Sequence, residues 1–250
     1  MGTRTKQHAD RLRLYTEQSN SVHAQYLADP ELLRQYEFFL DWQVAYTLPF
    51  YSEFQAEPDT AAAVEFVISD LIGTGIIARD ADLARVIPIM VRLLPDRALQ
   101  TLASAMELNA RALTINLDIC RRLYETTDVQ AGISEHDYCA AFRYSTSFDE
   151  CLELIKLVVD LGRSLKRMVR SPALGMTLRA MHHPAHAAGF GAMQDFLETG
   201  HSTFHAIGDI DYFLDHFASR MEEVFRRTCN APLTDMESSP WLPPAGAGQK

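Results

Sequence analysis

The sequence lacks the features that mark secreted, membrane-spanning and nucleic-acid-binding proteins. Its four cysteines include no CxxC pair, which excludes the common zinc and dithiol motifs and favours a reducing compartment. The charged opening segment MGTRTKQHADRLRLYTEQ has no apolar core for a signal peptide, and no run approaches the roughly 18 apolar residues of a membrane span. The net charge of −10 argues against general nucleic-acid binding, which needs a basic surface. We therefore expect a cytoplasmic protein that is not transmembrane and binds no nucleic acid.

Strong catalytic motifs are also missing from the chain. It contains no HExxH metal motif, no GxSxG nucleophile motif and no GxxxxGK[ST] phosphate loop. The fragment Gly189-Phe-Gly191 lacks the preceding strand and the third glycine that a dinucleotide site requires. The sequence therefore assigns no catalytic residue and no cofactor, and it favours a protein that is not an enzyme.

Helical periodicity is present through most of the chain, with no alternating strand pattern and no Asn-Gly hairpin. It predicts an all-α fold, a bundle of about eight to ten helices. The helix expected at 95–125 is apolar on two sides, a pattern typical of a helix buried between layers, and we place it at the centre. The domain is expected to span 1–228, and the Pro/Gly/Ser-containing segment 229–250 to be a disordered tail.

Local signals predict where several helices begin. Ser134 with Asp137, and Ser147 with Glu150, have the spacing of capping boxes. The stretch 181–191, which contains a proline and two glycines, is interpreted as a loop or a broken helix.

Histidines are concentrated near the C-terminal end, where six of the nine fall between His182 and His216. Glu198, His201 and His205 share one stripe of a predicted helix, and Glu198-x-x-His201 has the spacing of a metal-ligand pair in carboxylate-bridged bundles. Glu107 of the central helix is a candidate second carboxylate. The alternative is that these residues border the core and bind no metal.

A basic stretch interrupts this acidic sequence, because no Asp or Glu occurs between Asp160 and Asp195. Such a basic island either holds an acidic protein or an anionic ligand, or pairs with acidic side chains of neighbouring helices. Its members are Arg163, Lys166, Arg167, Arg170 and Arg179.

Aromatic residues are dense between Tyr36 and Phe54, on a helix that Pro49 should bend. Two polar residues lie in the middle of its apolar face, so the helix forms either the wall of a pocket for an apolar ligand or ordinary core. The candidate pocket residues are Tyr36, Phe39, Gln43, Thr47 and Phe50.

Three runs resemble the FFLEE-motif family of bacterial proteins: RDADLARVIPIMVRLLPDRAL (79–99), SAMELNA (104–110) and MHHPAHAAGFGAMQDFLETG (181–200). With the flanking helices, the resemblance covers about residues 30–228. The signature run should fall at Glu65-Phe-Val-Ile-Ser-Asp70, where this chain departs from the family pattern. The resemblance implies a cytoplasmic, bacterial, helical protein and carries over no catalytic role.

The leading interpretation from sequence is a non-enzymatic helical binding or adaptor protein that uses the basic island or the aromatic helix. One alternative is a metal-dependent oxidase or hydrolase built on Glu198, His201 and His205. The other alternative is a carrier of a lipid or acyl ligand along the aromatic helix.

Overall fold

The computed structural model describes residues 3–70, 73, 77 and 96–243, and this part of the chain is all-α, as predicted. It holds nine helices of two turns or more and no strand, and its single β-bridge joins Ile133 to Trp241. None of these helices combines the length and apolar character that crossing a bilayer requires. They are α1 (Thr3–Leu27), α2 (Pro30–Thr47), α3 (Pro58–Glu65), α4 (Asp96–Thr126), α5 (Glu135–Ser145), α6 (Phe148–Val169), α7 (Pro172–Ala187), α8 (Gly191–Ala206) and α9 (Ile210–Asn230).

Side-chain caps fix the start of several helices. Ser147 and Glu150 form the complete capping box at α6, with each side chain bonded to the other residue's backbone amide. At α5 only half of the predicted box is present, because Ser134 accepts from the Asp137 amide without a return bond to the backbone. The sequence signals therefore located both helix starts.

The central helix is α4, which packs most extensively against α1 and then against α5 and α6. Pro95, where the prediction began, lies outside the described residues. The second apolar side predicted for this helix includes Leu108, Ile115 and Ile119. Ile119 is fully buried, whereas Leu108 and Ile115 are half-buried. The fully or nearly fully buried positions of α4 are Leu99, Ala103, Met106, Ala110, Leu113, Leu117, Ile119, Cys120 and Leu123.

The C-terminal segment corrects the prediction of a disordered tail from residue 229. Residues up to Asn230 belong to α9, and Met236 is buried in the same apolar cluster as Trp42. Trp241 stacks on Trp42 with ring centroids 5.0 Å apart. Its carbonyl lies so close to Gly132 that a Cβ there would meet it at 2.7 Å. Composition suggested disorder, but one tryptophan and one methionine anchor the described part of this segment, and residues 244–250 lie outside it.

Candidate functional site

The predicted pocket residues of α2 lie in the core. Tyr36 and Phe39 are fully buried, and Gln43 Nε2 donates to Asn116 Oδ1 at 3.2 Å and to Tyr138 Oη at 3.3 Å. The side-chain nitrogen of this inward glutamine is thus satisfied by protein groups, whereas its Oε1 atom is buried without a hydrogen-bond partner in the described residues.

The other two pocket candidates lie where α2 ends. Thr47 is the last residue of α2, and the chain continues as a 3₁₀ turn over Leu48–Tyr51 that contains Pro49 and the half-buried Phe50. Proline cannot donate an amide hydrogen to the helix, which explains the change of geometry.

Two members of the basic island pair with acidic residues of α9. Arg163 donates to Asp215 at 2.8 Å and Lys166 donates to Asp211 at 2.5 Å. These pairs correspond to the second of the two interpretations left open by the sequence.

The remaining members of the island differ in their surroundings. Arg170 donates to the carbonyls of Ile207 and Gly208, each at 2.8 Å, and so closes the end of α8. Arg179 is exposed, and the described part of the chain places no acidic partner on it. The side chain of Arg167 lies outside the described residues.

The predicted metal ligands Glu198, His201 and His205 lie on α8 without forming a ligand cluster. The His201 ring turns toward α7, where a Cβ on Gly175 would lie 3.0 Å from it, and its Nε2 atom is buried without a hydrogen-bond partner. Burial, together with the nearby charges of His205 and Arg179, lowers the pKa of His201. Both effects favour the neutral form of the imidazole at this contact between α7 and α8.

Glu107, the candidate second carboxylate, is engaged elsewhere. Its carboxylate accepts from Arg11 at 2.5 Å and lies 3.6 Å from Arg111 on the next turn of α4. Two guanidinium groups already compensate this charge, so Glu107 contributes to the contact between α1 and α4.

A different set of ligands comes together at the hairpin formed by α7 and α8. One ligand atom from each of His182, His186 and Asp195 lies within 4.8 Å of the other two, and in the described residues this is the group of three that meets such a criterion. His182 and His186 are four residues apart on α7, so they share a face, and their ring centroids lie 4.5 Å apart. Asp195 lies in the second turn of α8, 2.8 Å from His186 Nε2.

A second layer of hydrogen bonds orients His182. Its Nδ1 lies 3.1 Å from Glu198 Oε2, and because a carboxylate only accepts, Nδ1 carries the proton. Gln194 donates to Glu198 at 2.8 Å and also to the Leu178 carbonyl of α7. The bond from Gln194, aided by His182, lowers the pKa of Glu198. This arrangement leaves His182 Nε2 with its lone pair, as in the carboxylate–histidine pairs that support metal ligands.

A glycine permits the close approach of His186. A Cβ on Gly191, the first residue of α8, would lie 2.8 Å from His186 Nδ1. The side chains of His182 and His186 are about two-fifths exposed, and that of Asp195 is more exposed. The group is therefore built at the surface, with one side open to solvent.

The sequence contained a signal for this group that the prediction missed. Interpreting residues 181–191 as a loop or broken helix removed the facial relationship between His182 and His186. In the structure α7 continues through Pro184 to Ala187, and the turn falls at Gly189, which has φ +76. The i, i+4 spacing becomes informative only once the helix is known to continue.

Comparison with known proteins adds a family but no activity. No curated protein and no solved structure matches the chain. The resemblance to the FFLEE-motif family is not tested by these comparisons and stays a prediction; residues 79–95 of its first run also lie outside the described residues. One family model matches most of the chain, and the matched residues include the hairpin with His182, His186 and Asp195. The chain belongs to the family described as Domain of unknown function (DUF8198), whose model matches residues 14–233.

Proposed function

We propose that this chain is a metal-binding helical protein in which His182, His186 and Asp195 hold one divalent transition-metal ion. The observation that carries the proposal is the approach of one ligand atom from each side chain to within 4.8 Å of the others. Two imidazoles and one carboxylate are the ligand set of many catalytic zinc sites and of non-haem iron sites. The proposal keeps the metal-dependent alternative derived from sequence, with a different set of ligands and with a cofactor that the sequence did not predict.

The role proposed for Glu198 is to orient a ligand rather than to bind the ion. Its hydrogen bond to His182 Nδ1 fixes the tautomer in which Nε2 is free to coordinate. Gln194 in turn holds Glu198 and ties it to the backbone of α7. These two residues are positioning residues, and their loss should weaken binding without abolishing it.

The open side of the group favours an exchangeable site over a closed structural one. Structural zinc is usually enclosed by four protein ligands, whereas three ligands leave a position for water or substrate. Exposure of His182, His186 and Asp195 supports the second arrangement. Metal-dependent hydrolysis or oxidation is thus supported more than a purely structural ion.

The adaptor and carrier hypotheses have weaker support. Arg163 and Lys166 of the basic island are already paired with acidic residues of α9, which reduces their value for an acidic partner. The buried Tyr36 and Phe39 give an apolar ligand no surface to bind. We also propose a cytoplasmic setting, which the four free thiols support because such thiols persist in a reducing compartment.

The test is metal stoichiometry and affinity on protein purified without a histidine tag. We expect one equivalent of bound metal by elemental analysis and one zinc site by calorimetry after metal removal. His186→Ala and Asp195→Ala should each abolish stoichiometric binding, and Glu198→Gln should weaken it by about tenfold to a hundredfold.

The matched control is His183→Ala, since His183 is an exposed histidine of the same helix outside the proposed ligand set. This variant should keep the wild-type affinity, and the circular dichroism of every variant should match that of the wild type. Less than a tenth of an equivalent of metal in the wild type, or an equal loss in His183→Ala, would reject the proposal.

A further inference from the structure

Helices α6 and α9 pack against each other in opposite directions. Arg163 of α6 pairs with Asp215 of α9. Lys166, which follows in α6, pairs with Asp211, which precedes in α9. The two helices also approach closely, because a Cβ on Gly162 would lie 2.5 Å from a leucine side chain of α9. The start of α6 therefore faces the end of α9.

Two cysteines occupy these facing ends. Cys151 lies in the first turn of α6, twelve residues before Arg163. Cys229 lies in the last turn of α9, fourteen residues after Asp215. Both cysteines contact the same apolar cluster, and the Cys151 thiol donates a hydrogen bond to the sulfur of Cys229. Residues distant in the sequence thus form a pair of thiols in direct contact.

The two thiols differ in exposure and in acidity. Cys151 is fully buried, whereas Cys229 is partly exposed. Arg143 lies beside Cys229, since its guanidinium donates to the carbonyls of Thr228 and Ala231, each at 2.6 Å. The bond from Cys151, aided by the charge of Arg143, outweighs burial and lowers the pKa of Cys229. The same bond, together with burial, raises the pKa of Cys151.

This asymmetry suits a dithiol that reacts in two steps. The thiolate is the reactive form of cysteine, and a partly exposed thiol of lowered pKa next to a cation is the one that a small reagent reaches first. Cys229 meets these conditions. Cys151 is buried against it and is placed to attack the sulfur of Cys229 afterwards.

We propose that Cys151 and Cys229 form a redox-active pair that exchanges reversibly with low-molecular-weight disulfides of the oxidised-glutathione class. The Cys229 thiolate attacks one sulfur of the small disulfide, forms a mixed disulfide and releases one thiolate. Cys151 gives its proton to a released thiolate and attacks Cys229 Sγ, which expels the second thiolate. Two electrons move from the protein to the small disulfide, and one S–S bond forms for the one that breaks.

The protein disulfide closes a loop of the chain that contains α7 and α8. Oxidation therefore joins the two helices that flank the hairpin, and such a cross-link restrains the chain. Disulfides that form in a reducing compartment are usually transient and serve redox sensing. The pair is independent of the proposed metal site and does not require it.

The test is incubation of full-length protein in buffers with different ratios of reduced to oxidised glutathione, followed by alkylation under denaturing conditions and peptide mass mapping. We expect two of the four thiols to be lost to alkylation as the oxidised fraction rises, with Cys151 and Cys229 in one cross-linked peptide. Cys120 and Cys139 should remain open to alkylation. Excess reduced glutathione should restore all four thiols.

Single substitutions separate the two roles. Cys151→Ala should accumulate a glutathione adduct at Cys229, because no second thiol removes it. Cys229→Ala should gain no adduct at the buried Cys151. Cys120→Ala removes another buried cysteine of the same apolar cluster and is the matched control, which should cross-link as the wild type does. Circular dichroism checks the fold of each variant, and Cys139→Ala replaces the control if Cys120→Ala does not fold.

Several outcomes would overturn the proposal. They are a wild type that forms no cross-link at any glutathione ratio, a cross-link that includes Cys120 or Cys139, and a cross-link that reduced glutathione does not reverse. An adduct on Cys151 in folded Cys229→Ala, or loss of the cross-link in the folded control, would also overturn it.

Discussion

The region around α2 and α4 and the hairpin of α7 and α8 are built in opposite ways. The first is a dense apolar core in which Tyr36, Phe39 and Trp42 are fully buried. In the hairpin, only Gly175 of α7 and two residues of α8, Met193 and Gln194, are buried. Both regions are helical, so helix content alone does not distinguish the buried core that stabilises the protein from the more exposed hairpin.

The difference also extends to the polar groups. In the first region, Glu135 accepts from Tyr46 at 2.9 Å, from Arg227 at 2.9 Å and from the Glu237 amide at 3.1 Å. In the hairpin, the His182–Glu198 and His186–Asp195 pairs are accessible to water, and exposed pairs contribute only about 0–1 kcal/mol. A ligand that joins α7 to α8 therefore adds a large share of the local stability there.

The largest effect is expected from truncation in the aromatic core. Phe39→Ala should lower the free energy of unfolding by about 3–5 kcal/mol, since it removes a fully buried ring and leaves a cavity. Leu197→Ala in α8, where the side chain is 42% exposed, should change it by less than about 0.5 kcal/mol. Urea denaturation of both variants measures this contrast, and similar losses would remove the distinction between the two regions.

An intermediate effect is expected at Glu135, and it should depend on pH. Burial opposes ionisation of this carboxyl, but the bonds from the Glu237 amide, Arg227 and Tyr46 outweigh burial and hold its pKa below the ordinary 4.5. A pKa that is lower in the folded chain means that the ionised form stabilises the fold above about pH 4.5, and that this contribution is lost as the pH falls through the folded value.

Glu135→Gln should therefore cost about 2 kcal/mol at neutral pH. The difference between wild type and variant should shrink as the pH is lowered below 4.5. Thermal or urea unfolding of both proteins between pH 3 and pH 7 measures it, in steps of about half a unit. A difference that stays constant across this range would show that Glu135 acts through packing and not through its charge.

The smallest effect is expected at the basic island. Arg163→Gln should lower stability by less than about 1 kcal/mol, because its pair with Asp215 is half-exposed or more on both sides. The double-mutant cycle with Asp215→Asn measures the coupling energy between the two side chains, and this coupling energy should be smaller in high salt. A coupling energy well above about 1 kcal/mol would show that surface pairs also stabilise the protein, and it would contradict the proposed difference between core and exposed regions.

Much of the core could be predicted from sequence, because its patterns are local and repeated. The apolar faces of the 95–125 helix and the serine caps at Ser134 and Ser147 depend on spacing within a few residues, and they located the corresponding elements. For Arg163, pairing with an acidic residue of a neighbouring helix was one of the two interpretations from sequence. The sequence could not identify the partner, Asp215, which lies 52 residues further along the chain.

The candidate site was harder to predict because it depends on a contact between two helices. His182 and His186 share a face only if α7 continues through Pro184, and their carboxylate partners belong to α8. The order of the C-terminal segment was likewise hidden, since one stack of Trp241 on Trp42 outweighs a composition typical of disorder. Spacing along the chain could not reveal either pairing.

Hydrogen exchange with and without zinc tests the central claim most directly, since it measures the hairpin and the core in one experiment. On metal-free protein, zinc at a hundred times its Kd should slow exchange of the amides in 172–206 by up to about a hundredfold, because opening of the hairpin requires release of the ion. Amides of α4 should be unchanged where their exchange does not require the hairpin to open. An exchange rate in 172–206 that zinc does not change would contradict the account. Equal slowing by zinc in Asp195→Ala would also contradict it.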